Sequence, residues 1–317
     1  MSWRPNTSPD IAKVRARMLR KARGFFATRD VLEVSTPSLS GYTSTDPNIE
    51  SIEARVSDRQ MYLHTSPEHF MKRLLAADYP DIYQICSVYR DGETGRHHLP
   101  EFTMLEWYRR DFELQAIMQE TANLVTELLA KTTIALPPVF ISYRQAFDEA
   151  LSLDPLLADI GMLAKAVAAD TQLMESLGDD RDMWLDLAMA SRVARTFPGD
   201  RLTLVYHYPA SQAALARICP HDNSVADRFE LYCGPIELAN GFVELTDPNE
   251  QKARFESDQE KRRSRGLDRY EVDRALIDAL RAGMPPTAGV ALGIDRLLMI
   301  DEGLDDIRSV TTFTPGT

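Results

Sequence analysis

Residues 82–110 constrain this chain more than any other stretch. Ile82 to Arg90 is rich in β-formers, and Ile82, Gln84, Cys86, Val88 and Arg90 fall on one face because strand side chains alternate. A polar loop follows, carrying Glu93, Arg96, His97 and His98. A second run then places Phe102, Met104, Glu106 and Tyr108 on a common face. The pattern predicts an antiparallel hairpin that presents Arg90, Glu106 and Tyr108 together. A guanidinium beside a carboxylate and a phenol suits two ligands, a polyphosphate and an amine. The same loop composition also fits a plain solvated turn, so the hairpin needs support from elsewhere.

Two further segments supply it. Ala288 to Arg296 reads Ala-Gly-Val-Ala-Leu-Gly-Ile-Asp-Arg and runs into Leu-Leu-Met-Ile. Its glycines permit close backbone approach, and the apolar run predicts a buried helix start with Arg296 at the junction. Residues 24–37 predict an amphipathic helix leading to an extended segment that Pro37 ends.

In this order, the three segments resemble the signature motifs of class II aminoacyl-tRNA synthetases. The lysyl branch is indicated by Thr65-Ser66-Pro67-Glu68, by Pro100 to Tyr108 and by Glu237 to Leu245. The resemblance covers nearly the whole chain. It implies an α+β catalytic core, a mixed antiparallel sheet flanked by helices. It implies ATP as substrate and Mg2+ as cofactor. Arg90 and Arg296 would be the catalytic arginines. Asp91, Gly92, Glu93, His98, Leu99, Phe102, Glu237, Leu238 and Gly293 would join them around ATP. Glu230 and Glu237 match the family's metal-binding pair, with Gly234-Pro235 turning between them. Ser66, Pro67, Glu68, Glu106, Tyr108, Asn240, Phe242, Glu244 and Ala291 match the amino-acid pocket. Glu68 would meet the amine near the reacting end, and Glu106, Tyr108 and Glu244 the distal ammonium. Gly92 stands where many relatives carry Glu, and Leu99 where they carry Asn. Either Glu93 takes over the first contact or it is lost. Asp301-Glu302-Gly303 is more polar than the usual apolar helix end.

The first helix is predicted at 8–29, with Ser8 as N-cap, Pro9 at N1 and Ile11, Val14, Met18, Ala22 and Phe25 as its buried stripe. Even ten residues before the helix could not hold an anticodon-binding barrel, so none is expected. The expectation is one catalytic domain over 1–317, with a helical insertion at about 143–200. The resemblance narrows to freestanding lysyl-synthetase paralogues that adenylate lysine or β-lysine and transfer it to a lysine of elongation factor P. Further helices are expected after Ser66 as N-cap, at 113–131, at 156–169 and 181–196, after Pro209, and from Pro248 to Arg265. A strand is expected at 202–208.

Charge bears on the partner. Formal net charge is −12, from 36 basic and 48 acidic residues. Nucleic-acid binders usually carry a basic surface, which argues against tRNA, and an acidic surface suits a basic partner surface or a cationic substrate. Cys86, Cys219 and Cys233 are odd in number and read as small buried hydrophobes. No 18-residue apolar run and no signal-peptide core are present, so a cytoplasmic protein without membrane contact is expected. A homodimer is expected through an apolar patch of Phe25, Phe26, Val31, Leu32 and Val34. Two other functions remain open at this point: a minimal enzyme charging tRNA with α-lysine, and a degenerate amino-acid sensor.

Overall fold

A computed structural model describes residues 3–131 and 136–314. Eleven strands are described: β1 (Leu32–Glu33), β2 (Leu39–Ser40), β3 (Glu53–Val56), β4 (Arg59–Leu63), β5 (Ile82–Tyr89), β6 (Glu101–Arg110), β7 (Val139–Ser142), β8 (Leu202–Pro209), β9 (Val225–Cys233), β10 (Ile236–Val243) and β11 (Thr287–Gly293). The α-helices are α1 (Pro9–Ala27), α2 (Glu68–Ala76), α3 (Leu114–Leu128), α4 (Tyr143–Leu151), α5 (Ile160–Ala166), α6 (Thr171–Leu177), α7 (Arg181–Ala188), α8 (Pro248–Ser264), α9 (Arg274–Gly283) and α10 (Ile294–Asp301). The main sheet has eight strands in the order β1-β5-β6-β11-β10-β9-β8-β7, and β2-β4-β3 form a small second sheet. The interior strands of the main sheet pair antiparallel, while β1 and β7 join its two edges in parallel. This is the mixed sheet and α+β class that the sequence predicts.

Alternation along β5 and β6 divides the molecule. Leu105 and Trp107 enter the large core with Tyr83, α1, α3 and α10, where Phe26 stacks on Tyr83 at 4.5 Å. Ile82 and Tyr108 turn the other way, onto Met71 and Leu75 of α2 and Leu276, Ile277 and Leu280 of α9. Burying these apolar faces on both sides stabilises the sheet that carries the polar cleft residues.

Ser8 caps α1 as expected, accepting from the Ile11 amide at 3.4 Å. The α2 boundary differs by one residue. Helical geometry already includes Pro67, and Ser66 Oγ accepts from the Glu68 amide at 3.0 Å from just outside. Ser66 thereby supplies the end of α2 with an acceptor while its hydroxyl donates elsewhere.

Two expectations are corrected. After Pro209 the chain makes only a three-residue 3-10 turn, Ala210–Gln212. Ala214 takes φ +49°, and the backbone then pairs as an extended segment, Arg217 with Val243 and Cys219 with Val225. Those bonds leave no amides for a helix. The apolar patch is also not a free surface: Phe25, Phe26 and Val31 are buried in the chain's own core, and only Leu32 among the five is exposed, at 45%.

α4, α5 and α7 pack around a second core with Trp184 and Phe147 fully buried against β8 and β9. The polar end of α10 has a structural use: its last residue, buried Asp301, accepts from the amides of Ala130 and Lys131, both at 2.7 Å, and fastens the chain just after α3. No helix among the described residues is long and apolar enough to cross a membrane.

Candidate active site

The polar face of the sheet forms the floor of a cleft of ≈ 530 Å³, the size of a small-ligand site. Segment 43–49 closes one side of it. Fully buried Arg262 of α8 holds that segment, donating to the Asp46 and Ile49 carbonyls at 3.1 and 3.2 Å and to Glu50 Oε1 at 2.8 Å.

One end of the cleft is acidic. β5–β6 register sets Glu106 opposite Gln84, and β6–β11 register sets it opposite Ala291. Tyr108 donates its hydroxyl to Glu106 Oε1 at 2.6 Å, and Ser66 donates to Oε2 at 2.7 Å. Burial, then the neighbouring Glu68 charge, pushes the Glu106 carboxyl up to about 7. Glu244 is 2% exposed, just past β10, and its Oε1 has no hydrogen-bond partner. Burial raises its pKa, against the opposing pull of Lys72. Gly289 makes this arrangement possible. A Cβ there would lie 2.5 Å from Glu244 Oε1 and 2.5 Å from the Tyr108 ring.

The other end is basic. Arg90 sits just past β5, its Nη1 3.4 Å from Glu93 Oε1 and its guanidinium 5.2 Å from the Phe102 ring centre. Its Nε is buried without a partner. Arg296 is positioned by its neighbour: buried Asp295 accepts from the Thr103 amide at 2.6 Å and from Arg15, anchoring α10 to β6 and α1. Arg296 then donates to the Glu237 carbonyl at 2.9 Å, to the His97 carbonyl at 3.2 Å and to His98 Nε2 at 2.7 Å. Burial and the Arg296 charge lower the His98 pKa. A neutral ring that accepts at Nε2 carries its proton at Nδ1, since guanidinium can only donate.

Most of the expected site residues meet here. Ser66, Glu68, Arg90, Glu93, His98, Leu99, Phe102, Glu106, Tyr108, Glu237, Leu238, Asn240, Phe242, Glu244, Ala291, Gly293 and Arg296 all line the cleft. Pro67, Asp91, Gly92 and Glu230 do not. Asp91 instead accepts from the Gly92 amide at 2.8 Å and shapes the turn, where Gly92 has φ +73°. Glu230 stands opposite Asn240, because β10 bulges between Glu237 and Ala239. Its Oε2 accepts from Tyr208 at 2.6 Å and from Tyr232, and its Oε1 accepts from Arg228 at 2.6 Å. Oε1 therefore keeps a lone pair. Glu237 is 40% exposed, with only a 3.5 Å contact to Arg296. Hard carboxylate oxygens with spare lone pairs are the donors magnesium takes, so this pair fits the ion.

Sequence reading missed two members. Arg228 lines the cleft and holds Glu230 and Asn240. Lys72 is buried behind the acidic end, 2.5 Å from both Glu68 Oε1 and Glu244 Oε2. The Glu68/Lys72 spacing of i,i+4 was the available signal. Cys86 borders the same region, and burial pushes its thiol up to about 12, which keeps it in the protonated form.

Known proteins resemble this chain over its full length. The family model for class II tRNA synthetases (D, K and N) matches residues 1–316. A Salmonella gallinarum protein named elongation factor P–(R)-β-lysine ligase is 45% identical over 321 residues, covering 99% of this chain and 97% of the relative. One of the same name from an Enterobacter species is 44% identical over 325 residues, with the same coverage. With the hairpin arginine, the strand–helix arginine and the acidic pocket meeting in one cleft, the chain belongs to the class II tRNA synthetases of the D, K and N type.

Proposed function

We propose that this chain is an ATP-dependent ligase that activates (R)-β-lysine as its adenylate and transfers it to a lysine side chain of elongation factor P. The carrying observation is the cleft's polarity: buried acids with an unpaired Glu244 oxygen at one end, and Arg90 with a buried, unpaired Nε at the other. The names of the relatives support elongation factor P as acceptor and (R)-β-lysine as the isomer.

The substrate's ammonium groups are held by Glu68 and by Glu106, Tyr108 and Glu244, which together can accept an ammonium's three donors. This points the substrate carboxylate toward Arg90. Arg90 binds that carboxylate and the α-phosphate through its fork, and aligns the attack. The carboxylate oxygen bonds to the α-phosphorus as pyrophosphate leaves. Arg296, backed by neutral His98, receives the terminal phosphates and their growing charge. The acceptor lysine, as free amine, then attacks the acyl carbon, an amide forms and AMP leaves. Glu237 and the free lone pair of Glu230 would hold magnesium, which neutralises phosphate charge when bound.

A cytoplasmic location is part of the proposal, since the reaction needs ATP and a translation factor. A two-fold dimer remains part of the proposal, supported by the family resemblance and by the exposed edge strand β1. One experiment tests the function. Labelled α-lysine or (R)-β-lysine is incubated with enzyme, ATP and either purified elongation factor P or tRNA. Label from (R)-β-lysine appearing on elongation factor P is the expected result. Label on tRNA alone, or on neither acceptor, refutes it.

A further inference from the structure

Lys72 is an unusual residue to find at the back of a lysine-binding pocket. It is 1% exposed and lies on α2 between Met71 and the helix turn that carries Leu75. Its ammonium touches Glu68 Oε1 and Glu244 Oε2 at 2.5 Å each, with the Phe242 ring centre 5.4 Å away. Glu68 lines the cleft wall and Glu244 lies beside Tyr108; in the functional reading above they serve different amines of the substrate. Lys72 therefore does more than neutralise a charge. It spans the two amine subsites with a single rigid contact.

Charge balance in the pocket agrees with two amines. Glu68, Glu106 and Glu244 bring three negative charges when ionised, and Lys72 brings one positive charge. The remaining deficit matches a substrate with two ammonium groups. With a mono-amine one of the two raised acids, Glu106 or Glu244, would lack a cation and keep its proton, and its charge-assisted bond to the ligand would be lost. Each Lys72-bound carboxylate also keeps its second oxygen for the ligand, and Glu244 Oε1 is the buried oxygen that has no partner.

We infer that Lys72 is a positioning residue for substrate selection: by tying Glu68 to Glu244 it fixes the distance between the two amine subsites and so sets which diamino acid fits. The inference rests on the diamino-acid reading above. Moving the proximal amine from the α to the β carbon shortens the path between the two amines by one carbon. A pocket whose acids are cross-linked by one ammonium reads that difference; a pocket whose acids can drift apart does not. A difference of one methylene is worth about 10- to 200-fold in selectivity. Burial works against the Lys72 charge, but the Glu244 and Glu68 charges outweigh it and keep the ammonium protonated.

The test is lysine-dependent pyrophosphate exchange by the full chain with α-lysine and with (R)-β-lysine, across pH, for wild type, Lys72→Gln and Lys72→Arg. Wild type should favour one isomer by at least about tenfold. Lys72→Gln should raise the KM for the diamino acid by about 30-fold or more, leave the KM for ATP unchanged, and bring the isomer ratio toward one. Its acidic limb should move to higher pH, because Glu244 loses the cation that favours its ionised form. Lys72→Arg keeps the charge but not the compact head, so it should hold the acidic limb and still change the isomer ratio. An unchanged isomer ratio in either folded variant overturns the inference. So does a wild type that uses both isomers equally, a result that needs no variant to fold. A wild type that exchanges with neither isomer instead overturns the proposed function.

Discussion

Glu106→Gln offers a quantitative test of the acidic pocket. In the folded protein Glu106 is 3% exposed, and its carboxyl is pushed from the usual 4.5 up to about 7. The folded state thus binds this proton more tightly than the unfolded chain does. The stabilising contribution is complete below pH 4.5, declines through the interval and is gone above about 7. Each pKa unit corresponds to roughly 1.36 kcal/mol, so the ligand-free enzyme should lose about 3 kcal/mol from this group between pH 5 and pH 8. An amide in its place cannot ionise and carries no such loss. Glu106 also helps raise Glu244, so removing its charge acts in the same direction there. Whatever the substitution costs at pH 5, its stability relative to wild type should improve by about 3 kcal/mol at pH 8. For 317 residues at about 2.1 cal/mol/K each, that is about 4 °C in Tm. The assay is thermal or denaturant unfolding of both proteins at the two pH values. Saturating (R)-β-lysine should remove the difference for wild type, because its ammonium restores the ionised form. A wild-type-to-variant gap that does not change with pH would mean that Glu106 is not a desolvated acid, and the pocket argument would fail with it.

Arg90→Ala should abolish lysine-dependent pyrophosphate exchange with little change in Tm, since the side chain loses only a long 3.4 Å contact to Glu93 and its place over Phe102; near-normal exchange by the folded variant would remove Arg90 from the reaction. Glu237→Gln should raise the magnesium concentration needed for half-maximal activity, whereas Glu244→Gln should weaken lysine by about 2–5 kcal/mol and leave magnesium dependence alone. Equal effects of both on both ligands would show the roles to be confused. Gly289→Ala should displace Glu244 and Tyr108, costing about 1–3 kcal/mol of stability and raising the KM for lysine more than that for ATP, as unfolding and exchange measurements would show. Sedimentation should find twice 35.8 kDa, and a fully active monomer at micromolar concentration would refute the dimer.

The parts of this site that were legible share a physical cause. Along β5 and β6 one face is apolar core and the other carries function, so period-two alternation separated Leu105 and Trp107 from Glu106 and Tyr108. Ser8 announced α1 through local capping, which needs no tertiary knowledge. Where long-range pairing decides, local reading failed. The segment after Pro209 carries helix-forming residues, yet its amides go to Val243 and Val225. Phe25 and Phe26 look like a patch until Tyr83 and Trp107 are brought against them. Glu230 and Glu237 are seven positions apart, but a bulge in β10 decides that Glu230 faces Asn240.

Lys72 is the instructive case. Sequence pattern assigns a lysine on an amphipathic helix to water, because burying an unpaired ammonium is prohibitive. The rule holds only while no partner is near. Glu68 stands one helical turn away, but a single i,i+4 pair is weak and mostly exposed in isolated helices. What makes burial tolerable is the second carboxylate, Glu244, delivered from the far end of β10 across 172 residues of chain. A functional pocket of this kind is a cluster of charges that are each unfavourable alone and mutually sustaining together. The members that touch substrate can be found by their motifs. The member that only holds the others in place becomes visible once the strands and the helix are assembled.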